Sequence, residues 1–446
     1  MKVKMIIVVL ISCLIFFIKS STSGVLMQGF YWDVPMGGTW YTLLESKAKE
    51  LRAVGFTAIW FPSPTKGNSG SYSMGYDVFD HYDLGEYDQK GTIETRFGSK
   101  DELKNAVKSY RDLGMDVYVD TVMNHMTGGE LEDNPYTNTQ TWTKFVYPHH
   151  EFEKDYKSFI PDGYNCFEDE YFCGTWGPEL CHENSYVGDE FKKWGKWLAE
   201  QIGFNGYRLD AVKCISPAYI ASWRQAVGGK FIVGEFWDGN RDLLNNFVNQ
   251  STIAAFDFPL RYVLRDMCNN TKGTFDMRNL DHAGLAGINP FMAVTFAENH
   301  DTDTRDNGEG DPIIYDKMMA YAYILTAEGY PCVFWKDYYN FNLKEKIDPL
   351  IWIHEKLASG PTEVIYKDGD LYVAKRDNYI VYINDNPTTG KNAGNIKTPW
   401  SNATLKDYTG NVKDTPKTDA SGYVTGYQLW APARSYTVWA PVTNTK

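Results

Sequence analysis

The stretch SKDELKNAVKSYRDLGMDVYVDTVMNH, residues 99–125, contains a complete helix followed by a strand. Ser99 and Glu102 form a capping box, in which each side chain can satisfy a backbone N–H of the other residue at a helix start. Gly114 then marks the helix end, and DVYVDT has the β-branched, apolar character of a buried strand. One apolar face of the helix is marked by Leu103, Ala106, Val107 and Tyr110. The stretch therefore predicts a helix that leads directly into a core strand.

The same unit recurs along the chain. Gly203 and Gly228 end two further predicted helices, and Ser216-Pro217 begins one of them. Eight apolar runs are candidate strands, at residues 25–33, 58–63, 116–125, 206–210, 231–237, 254–258, 292–297 and 331–335. Strands that alternate with helices favour a parallel sheet, and eight repeats of the unit predict an α/β fold of the closed (β/α)₈ (TIM) barrel type.

Two stretches depart from this alternation of strands and helices. Residues 128–185 are rich in Asn, Asp, Gly, Pro, Tyr and Cys with little periodicity, which predicts a loop-rich domain inserted after the third strand. Residues 360–446 contain short alternating runs separated by turn residues, which predict a C-terminal antiparallel β-sandwich. The barrel itself is expected at residues 24–127 and 186–359.

Residues 1–23 resemble a secretory signal peptide. Lys2 and Lys4 precede an apolar stretch, and Ser21-Thr22-Ser23 offers a small-residue cleavage site. The apolar stretch is shorter than the roughly 20 residues that span a bilayer, so a membrane anchor is the weaker alternative. A lipoprotein anchor through Cys13 is a minor one, since apolar residues continue beyond it. We therefore expect a secreted protein without stable membrane association.

Composition excludes some partners. The 446-residue chain carries 44 Lys and Arg against 57 Asp and Glu, a formal net charge of −13, and it has no compensating basic run. Nucleic acid would meet a repulsive field, so we expect no nucleic-acid partner. Aromatic residues make up 15% of the chain, which suits stacking on sugar rings.

The cysteines outside the predicted leader allow disulfide bonds. Of seven cysteines, Cys13 lies in the leader, which leaves six, and an even number in an exported chain permits pairing. A zinc site is the alternative, but the chain has no CxxC pair, so a disulfide within the insertion is favoured. The insertion and its edge contain the relevant residues, Cys166, Cys173, Cys181, His149, His150 and His182.

Three predicted strands end in a carboxylate, namely Asp210 in GYRLD, Glu235 in IVGEF and Asp301 in FAENHD. A single acid at a strand end is usually a solvated residue or a helix cap. In a parallel barrel, however, the carboxyl ends of all the strands meet at one cleft. Glycosidic hydrolysis with retention needs a protonated carboxylic acid and an ionised carboxylate about 5 Å apart. Arg208 lies on the same strand face as Asp210 and is expected to hold it ionised.

The blocks DTVMNH (120–125), GYRLDAVK (206–213), GEFWD (234–238) and FAENHD (296–301) resemble, in this order, the four sequence blocks of the α-amylase family, glycoside hydrolase family thirteen. The stretch at residues 75–103 is similar to archaeal and plant-type extracellular α-amylases. This resemblance implies a barrel (domain A), an inserted domain B and a C-terminal domain C. It also implies that Asp210 is the nucleophile, Glu235 the general acid and base, and Asp301 the stabiliser of the transition state.

The same resemblance implies binding residues, a metal and a substrate. His125 and His300 match histidines that hydrogen-bond the sugar at the cleavage point. Tyr72 matches an aromatic residue that stacks beneath the same sugar, and Lys213 matches a lysine that contacts the sugar on the leaving-group side. Calcium is the implied cofactor, and its ligands would be Asn124, Asp169, Glu179 and the backbone carbonyl of Cys214. The implied substrate is an α-1,4-glucan such as starch, hydrolysed at internal bonds by a monomer.

Three other functions compete with this hypothesis. A sister enzyme, such as an α-glucosidase, a maltogenic amylase or a transglycosylase, would share the three acids and differ in product profile. A non-catalytic glycan-binding barrel is disfavoured because the acids and Arg208 are all present. A metal-dependent hydrolase would need His and Asp clusters at metal-ligand spacing, which the sequence lacks.

Overall fold

The computed structural model describes residues 24–161, 163–164, 166–167, 173–304 and 308–442. The predicted signal peptide at residues 1–23 and the predicted calcium ligand Asp169 lie outside the described residues. In the described part of the chain, no helix combines the length and apolar character needed to cross a membrane.

Eight parallel strands close into a barrel in which each strand pairs with the next along the chain and the last pairs with the first. All eight lie within or next to the predicted apolar runs, so the barrel prediction is confirmed. The strands are β1 (Leu26–Gln28), β2 (Ala58–Phe61), β3 (Asp116–Thr121), β4 (Gly206–Leu209), β5 (Phe231–Gly234), β6 (Ala254–Phe256), β7 (Ala293–Phe296) and β8 (Tyr330–Phe334).

Helices surround this barrel, and their ends follow the sequence signals. The capping box of Ser99 and Glu102 is present, with both reciprocal contacts formed. Ser216 caps a helix that has Pro217 in its first turn. The α-helices of the described residues are α1 (Trp40–Val54), α2 (Lys100–Asp112), α3 (Ser185–Gln201), α4 (Pro217–Ala226), α5 (Arg241–Ser251), α6 (Phe258–Asn269), α7 (Lys317–Thr326) and α8 (Lys344–Leu357).

The segment between β3 and α3 contains an antiparallel hairpin of strands Glu130–Asn134 and Thr139–Lys144. Cys166 is bonded to Cys181, which confirms the expected disulfide in this segment. A second disulfide, which the sequence did not indicate, joins Cys173 to Cys214 on the loop after β4. This second bond ties the inserted segment covalently to the barrel.

The C-terminal residues form the expected antiparallel β-domain. Its five-stranded sheet has the order Glu363–Lys367, Leu371–Arg376, Tyr379–Asn384, Ser435–Pro441, Leu405–Asp407, and a two-stranded sheet pairs Lys391–Asn392 with Trp430–Ala431. Arg434 links this domain to the barrel, because it lies 2.7 Å from Asp316 at the start of α7 and donates a 3.0 Å hydrogen bond to the carbonyl of Asn270. Within its own domain, Arg434 pairs with Asp385.

Candidate active site

A cleft of about 670 Å³ lies where the carboxyl ends of the barrel strands meet. Asp210 directly follows β4, Glu235 directly follows β5, and Asp301 lies on the turn after β7. All three acids line this cleft. The structure thus brings together three residues that are far apart in the sequence, as expected for strand ends of a parallel barrel.

Arg208 is the centre of the charge arrangement below the cleft. Its side chain is 1% exposed, and its Nη1 lies 2.9 Å from Asp120 and 2.8 Å from Asp210. Its Nη2 lies 2.7 Å from Glu235. The contact with Asp210 agrees with the sequence prediction, whereas Asp120 was not predicted as a site residue. Asp120 of β3 lies directly opposite Arg208 of β4 in the pairing of the two strands. The sequence alone did not predict which residues of these strands are paired.

Burial and charge set different proton affinities for these groups. Burial raises the pKa of Glu235 well above its ordinary value, although the Arg208 guanidinium opposes this shift. Burial also raises the pKa of Asp120 to about 7, again against the effect of Arg208. For Arg208, burial alone would lower the pKa, but the surrounding carboxylates outweigh it and raise the pKa well above its ordinary value. The guanidinium therefore stays charged, while Glu235 is an acid that can hold its proton.

His300 and Asp301 lie on a turn that the Asn299 side chain stabilises. The amide oxygen of Asn299 accepts hydrogen bonds from the backbone N–H groups of Asp301, at 2.9 Å, and Thr302, at 2.8 Å. Gln28 of β1 contacts His300 Nδ1 at 2.9 Å, and His300 Nε2 lies 3.1 Å from Asp301. Both residues line the cleft, as the sequence predicts.

The predicted stacking tyrosine requires a correction. Tyr72 is 69% exposed and does not line the cleft, whereas Tyr76, four residues later, does. The Tyr76 ring lies 5.2 Å from His300 with an interplanar angle of 9°, and its hydroxyl donates to Asp120 at 2.8 Å. Both tyrosines occur in SYSMGYD, a loop without periodicity, so spacing gave no means of choosing between them. Trp32, which the sequence did not single out, lies 5.7 Å from Tyr76 and nearly parallel to it.

Aromatic and cationic side chains form the other walls. His125 contacts the backbone oxygen of Tyr76 at 2.9 Å, and its ring lies 5.4 Å from Trp176. Trp176 is 52% exposed and was not predicted. On the side of α4 and α5, Lys213 Nζ lies 2.9 Å from Asp238 and donates to the carbonyl of Trp237 at 3.4 Å. His125, Lys213 and both tryptophans line the cleft.

The described calcium candidates lie near the second disulfide. Asn124 is 1% exposed, and its side-chain nitrogen donates to the Cys173 carbonyl at 3.5 Å. Its side-chain oxygen, Oδ1, accepts no hydrogen bond from any described residue. The Glu179 carboxylate lies within 4.8 Å of the sulfurs of Cys173 and Cys214. These sulfurs are bonded to each other, so they are not thiolate ligands. The remaining donors are oxygen atoms, which fit a hard cation such as calcium.

Comparisons with known proteins agree with this geometry. A family model described as the catalytic domain of alpha-amylase matches residues 31–338, and one described as the alpha-amylase C-terminal domain matches residues 379–440. The alpha-amylase of Geobacillus stearothermophilus is 31% identical, with 95% of this chain and 88% of the relative covered. A glucan 1,4-alpha-maltohexaosidase of a Bacillus species (strain 707) is 30% identical, with 91% and 90% covered.

A solved structure shares the fold. The alpha-amylase from Geobacillus thermoleovorans, complexed with acarbose, superposes with a TM-score of 0.66 at 19% identity, and the match covers 95% of this chain and 99% of that chain. The region matched by the catalytic family model includes Asp210 and Glu235, which directly follow barrel strands, and Asp301 on the turn after β7. By these matches the chain belongs to the alpha-amylase family and is an enzyme of that family.

Proposed function

We propose that this enzyme hydrolyses internal α-1,4-glucosidic bonds of starch-type polysaccharides with retention of configuration at the anomeric carbon. The observation that carries the proposal is that one buried guanidinium contacts both Asp210 and Glu235, at 2.8 and 2.7 Å. Sharing one guanidinium keeps the two carboxyl groups close together, which favours the short separation of about 5 Å that retaining glycosidases use.

In the first step, an Asp210 oxygen attacks the anomeric carbon while Glu235 donates its proton to the departing glycosidic oxygen. The bond from the anomeric carbon to that oxygen breaks, and a glucosyl ester of Asp210 forms. The raised pKa of Glu235 supports its role as the acid, because a carboxyl group of ordinary pKa would already be ionised at neutral pH. Arg208 supports the role of Asp210 by contacting its carboxylate at 2.8 Å and so holding the nucleophile in place.

In the second step, Glu235 is ionised and takes a proton from water, whose oxygen attacks the anomeric carbon. The ester bond to Asp210 breaks, and Glu235 regains its proton. Asp301 would bind sugar hydroxyls and favour the distorted ring of the oxocarbenium-like transition state. Its partner His300 would hydrogen-bond the same sugar, and the 3.1 Å contact between the two residues supports a joint role.

Other cleft residues would bind the glucan on both sides of the cleaved bond. Tyr76 is better placed than Tyr72 to stack beneath the reacting sugar, because its ring lines the cleft beside His300. His125 would hydrogen-bond this sugar, and Lys213 would contact the leaving-group side.

Calcium is proposed as a structural cofactor held by Asn124, Glu179 and the carbonyl of Cys214. At this place the ion would supply no chemistry to bond cleavage and would instead hold the inserted segment against the barrel. The inserted segment is proposed as domain B at residues 128–185, between the parts of the barrel domain, with domain C at residues 360–446.

Secretion after removal of residues 1–23 is also proposed, together with a monomeric state. The two disulfides support an oxidising compartment, in which such bonds persist.

The test is the release of reducing ends from soluble starch, with product sizes resolved, by the wild type, Glu235→Gln and Glu345→Gln. Glu345 is an exposed acid on α8 and serves as the matched control. We expect mixed short maltooligosaccharides from the wild type and the control, and a loss of at least about 100-fold in Glu235→Gln. A single product length would instead favour a maltooligosaccharide-forming enzyme, glucose alone an exo-acting α-glucosidase, and cyclic or transfer products a transglycosylase. Full activity of Glu235→Gln would refute the proposed acid.

A further inference from the structure

A second groove, of about 490 Å³, lies beside α3 and the start of α2. Loops that include Tyr82 and His149 complete its walls. Among the described residues, none of those that line this groove also lines the catalytic cleft. The groove therefore needs an explanation of its own.

Aromatic rings form a continuous wall of this groove. The rings of Tyr82 and Trp197 are 4.9 Å apart, and the ring of His149 lies 6.2 Å from Tyr82 and 5.0 Å from Tyr87. His149 is held in place, because one ring nitrogen lies 2.8 Å from Asp80 and the other accepts the backbone N–H of the residue two positions later at 3.0 Å. Apolar ring faces of this kind suit the C–H faces of pyranose rings.

Polar atoms without protein partners accompany these rings. Tyr82 is only 8% exposed, lines the groove, and its hydroxyl makes no hydrogen bond to any described residue. The indole N–H of Trp197 and the carboxylate of Glu151 also have no hydrogen-bond partner within the described part of the chain. These donors and acceptors lie at the groove and can exchange hydrogen bonds with a ligand that has both kinds of group.

The charges at the rim argue against an anionic ligand. Glu86 pairs with Lys100 at 2.6 Å, and Glu190 pairs with Lys193 at 2.5 Å. Glu151 adds a third acid without a matching lysine, so the rim is net negative. Phosphate or nucleic acid would be repelled, whereas a neutral polyol can exchange hydrogen bonds with the carboxylates and ammonium groups without a charge penalty.

We propose that this groove is a second, non-catalytic binding site for a neutral α-glucan chain, with Trp197 and Tyr82 as its main contacts. The proposal rests on the proposed function, since the ligand belongs to the same class as the substrate. A contact outside the cleft would hold a polymer near the enzyme between cleavage events, and its benefit would arise from effective concentration rather than from catalysis.

The experiment is a calorimetric titration of β-cyclodextrin into the full chain that carries Glu235→Gln, which prevents turnover. We expect two classes of binding site, one in the cleft and one in the groove. Adding Trp197→Ala should weaken the groove class at least about tenfold and leave the cleft class, because it removes the stacking surface. Trp142→Ala is the matched control, since Trp142 is 62% exposed on the hairpin and does not line the groove.

Tyr82→Phe is the second variant, because it keeps the ring and removes only the hydroxyl. We expect it to weaken the groove class about 2- to 10-fold, the usual value of one hydrogen bond. A single class of site in the Glu235→Gln chain, or two classes that neither Trp197→Ala nor Tyr82→Phe affects, would overturn the second site. Starch hydrolysis by the wild type is measured separately, so a failed groove with an active enzyme is distinguishable from a failed function.

Discussion

Replacement of Arg208 by methionine should destabilise the fold strongly and in a pH-dependent way. The guanidinium is fully buried and lies within 2.9 Å of three carboxylates, those of Asp120, Asp210 and Glu235. Removing one partner of a buried ion pair typically costs about 3–5 kcal/mol, because the other charge stays buried without compensation. We expect Arg208→Met to lower the free energy of unfolding by that amount at pH 8.

The sign of the pH dependence follows from the direction of the pKa shifts. Burial raises the pKa of Asp120 to about 7 and that of Glu235 well above its ordinary value, so the folded state binds more protons than the unfolded state. Their contribution to stability is then present below the unfolded pKa and lost as pH rises through the folded pKa. Loss of Arg208 raises both pKa values further. The deficit of the variant should therefore grow between about pH 5 and pH 8, by up to about 1.4 kcal/mol per pH unit for each additional proton bound.

The assay is urea unfolding at pH 5 and pH 8 of the wild type, Arg208→Met and the control Arg278→Met. Arg278 pairs with Asp276 on the surface, where its side chain is 61% exposed, and such pairs contribute at most about 1 kcal/mol. An Arg208→Met deficit that equals the control, or one that is larger at pH 5 than at pH 8, would refute the account of the buried charge cluster.

Three further predictions concern the inserted segment and the cleft. Cys214→Ser removes a disulfide that spans 41 positions, and we expect the free energy of unfolding to fall by about 3–4 kcal/mol in urea titrations; an unchanged midpoint would show that the bond is not formed. Trp176→Ala removes an exposed ring from the cleft wall and should raise KM for soluble starch about 2- to 10-fold, whereas an unaltered KM would exclude a substrate contact. A chelator should lower the Tm of the wild type but not that of Asn124→Ala, and equal shifts in both would place the calcium elsewhere.

The barrel could be predicted because each of its strands is an apolar run bounded by helix signals, and both features are local. The three acids follow from the same reasoning, since Asp210 and Glu235 directly follow such runs and Asp301 lies on the turn after another. The resemblance to family blocks then added the roles of these residues, which periodicity cannot provide.

The partners that the sequence did not reveal are defined through space. Asp120 belongs to the site because β3 and β4 are in a register that places it opposite Arg208. The Cys173–Cys214 bond joins two segments that have no common sequence signal. The resemblance implies Tyr72 as the stacking ring, whereas the backbone path of this aperiodic loop brings the ring of Tyr76 to the cleft.

The most direct test of the proposed mechanism is the anomeric configuration of the first products. Proton NMR during early hydrolysis of a maltooligosaccharide by the wild type resolves the two anomers before they interconvert. With Asp210 as nucleophile and Glu235 as acid and base, we predict that the newly formed reducing ends appear as the α-anomer, with the β-anomer growing only later by mutarotation. Initial formation of the β-anomer would contradict the covalent step and, with it, the proposed roles of both carboxylates.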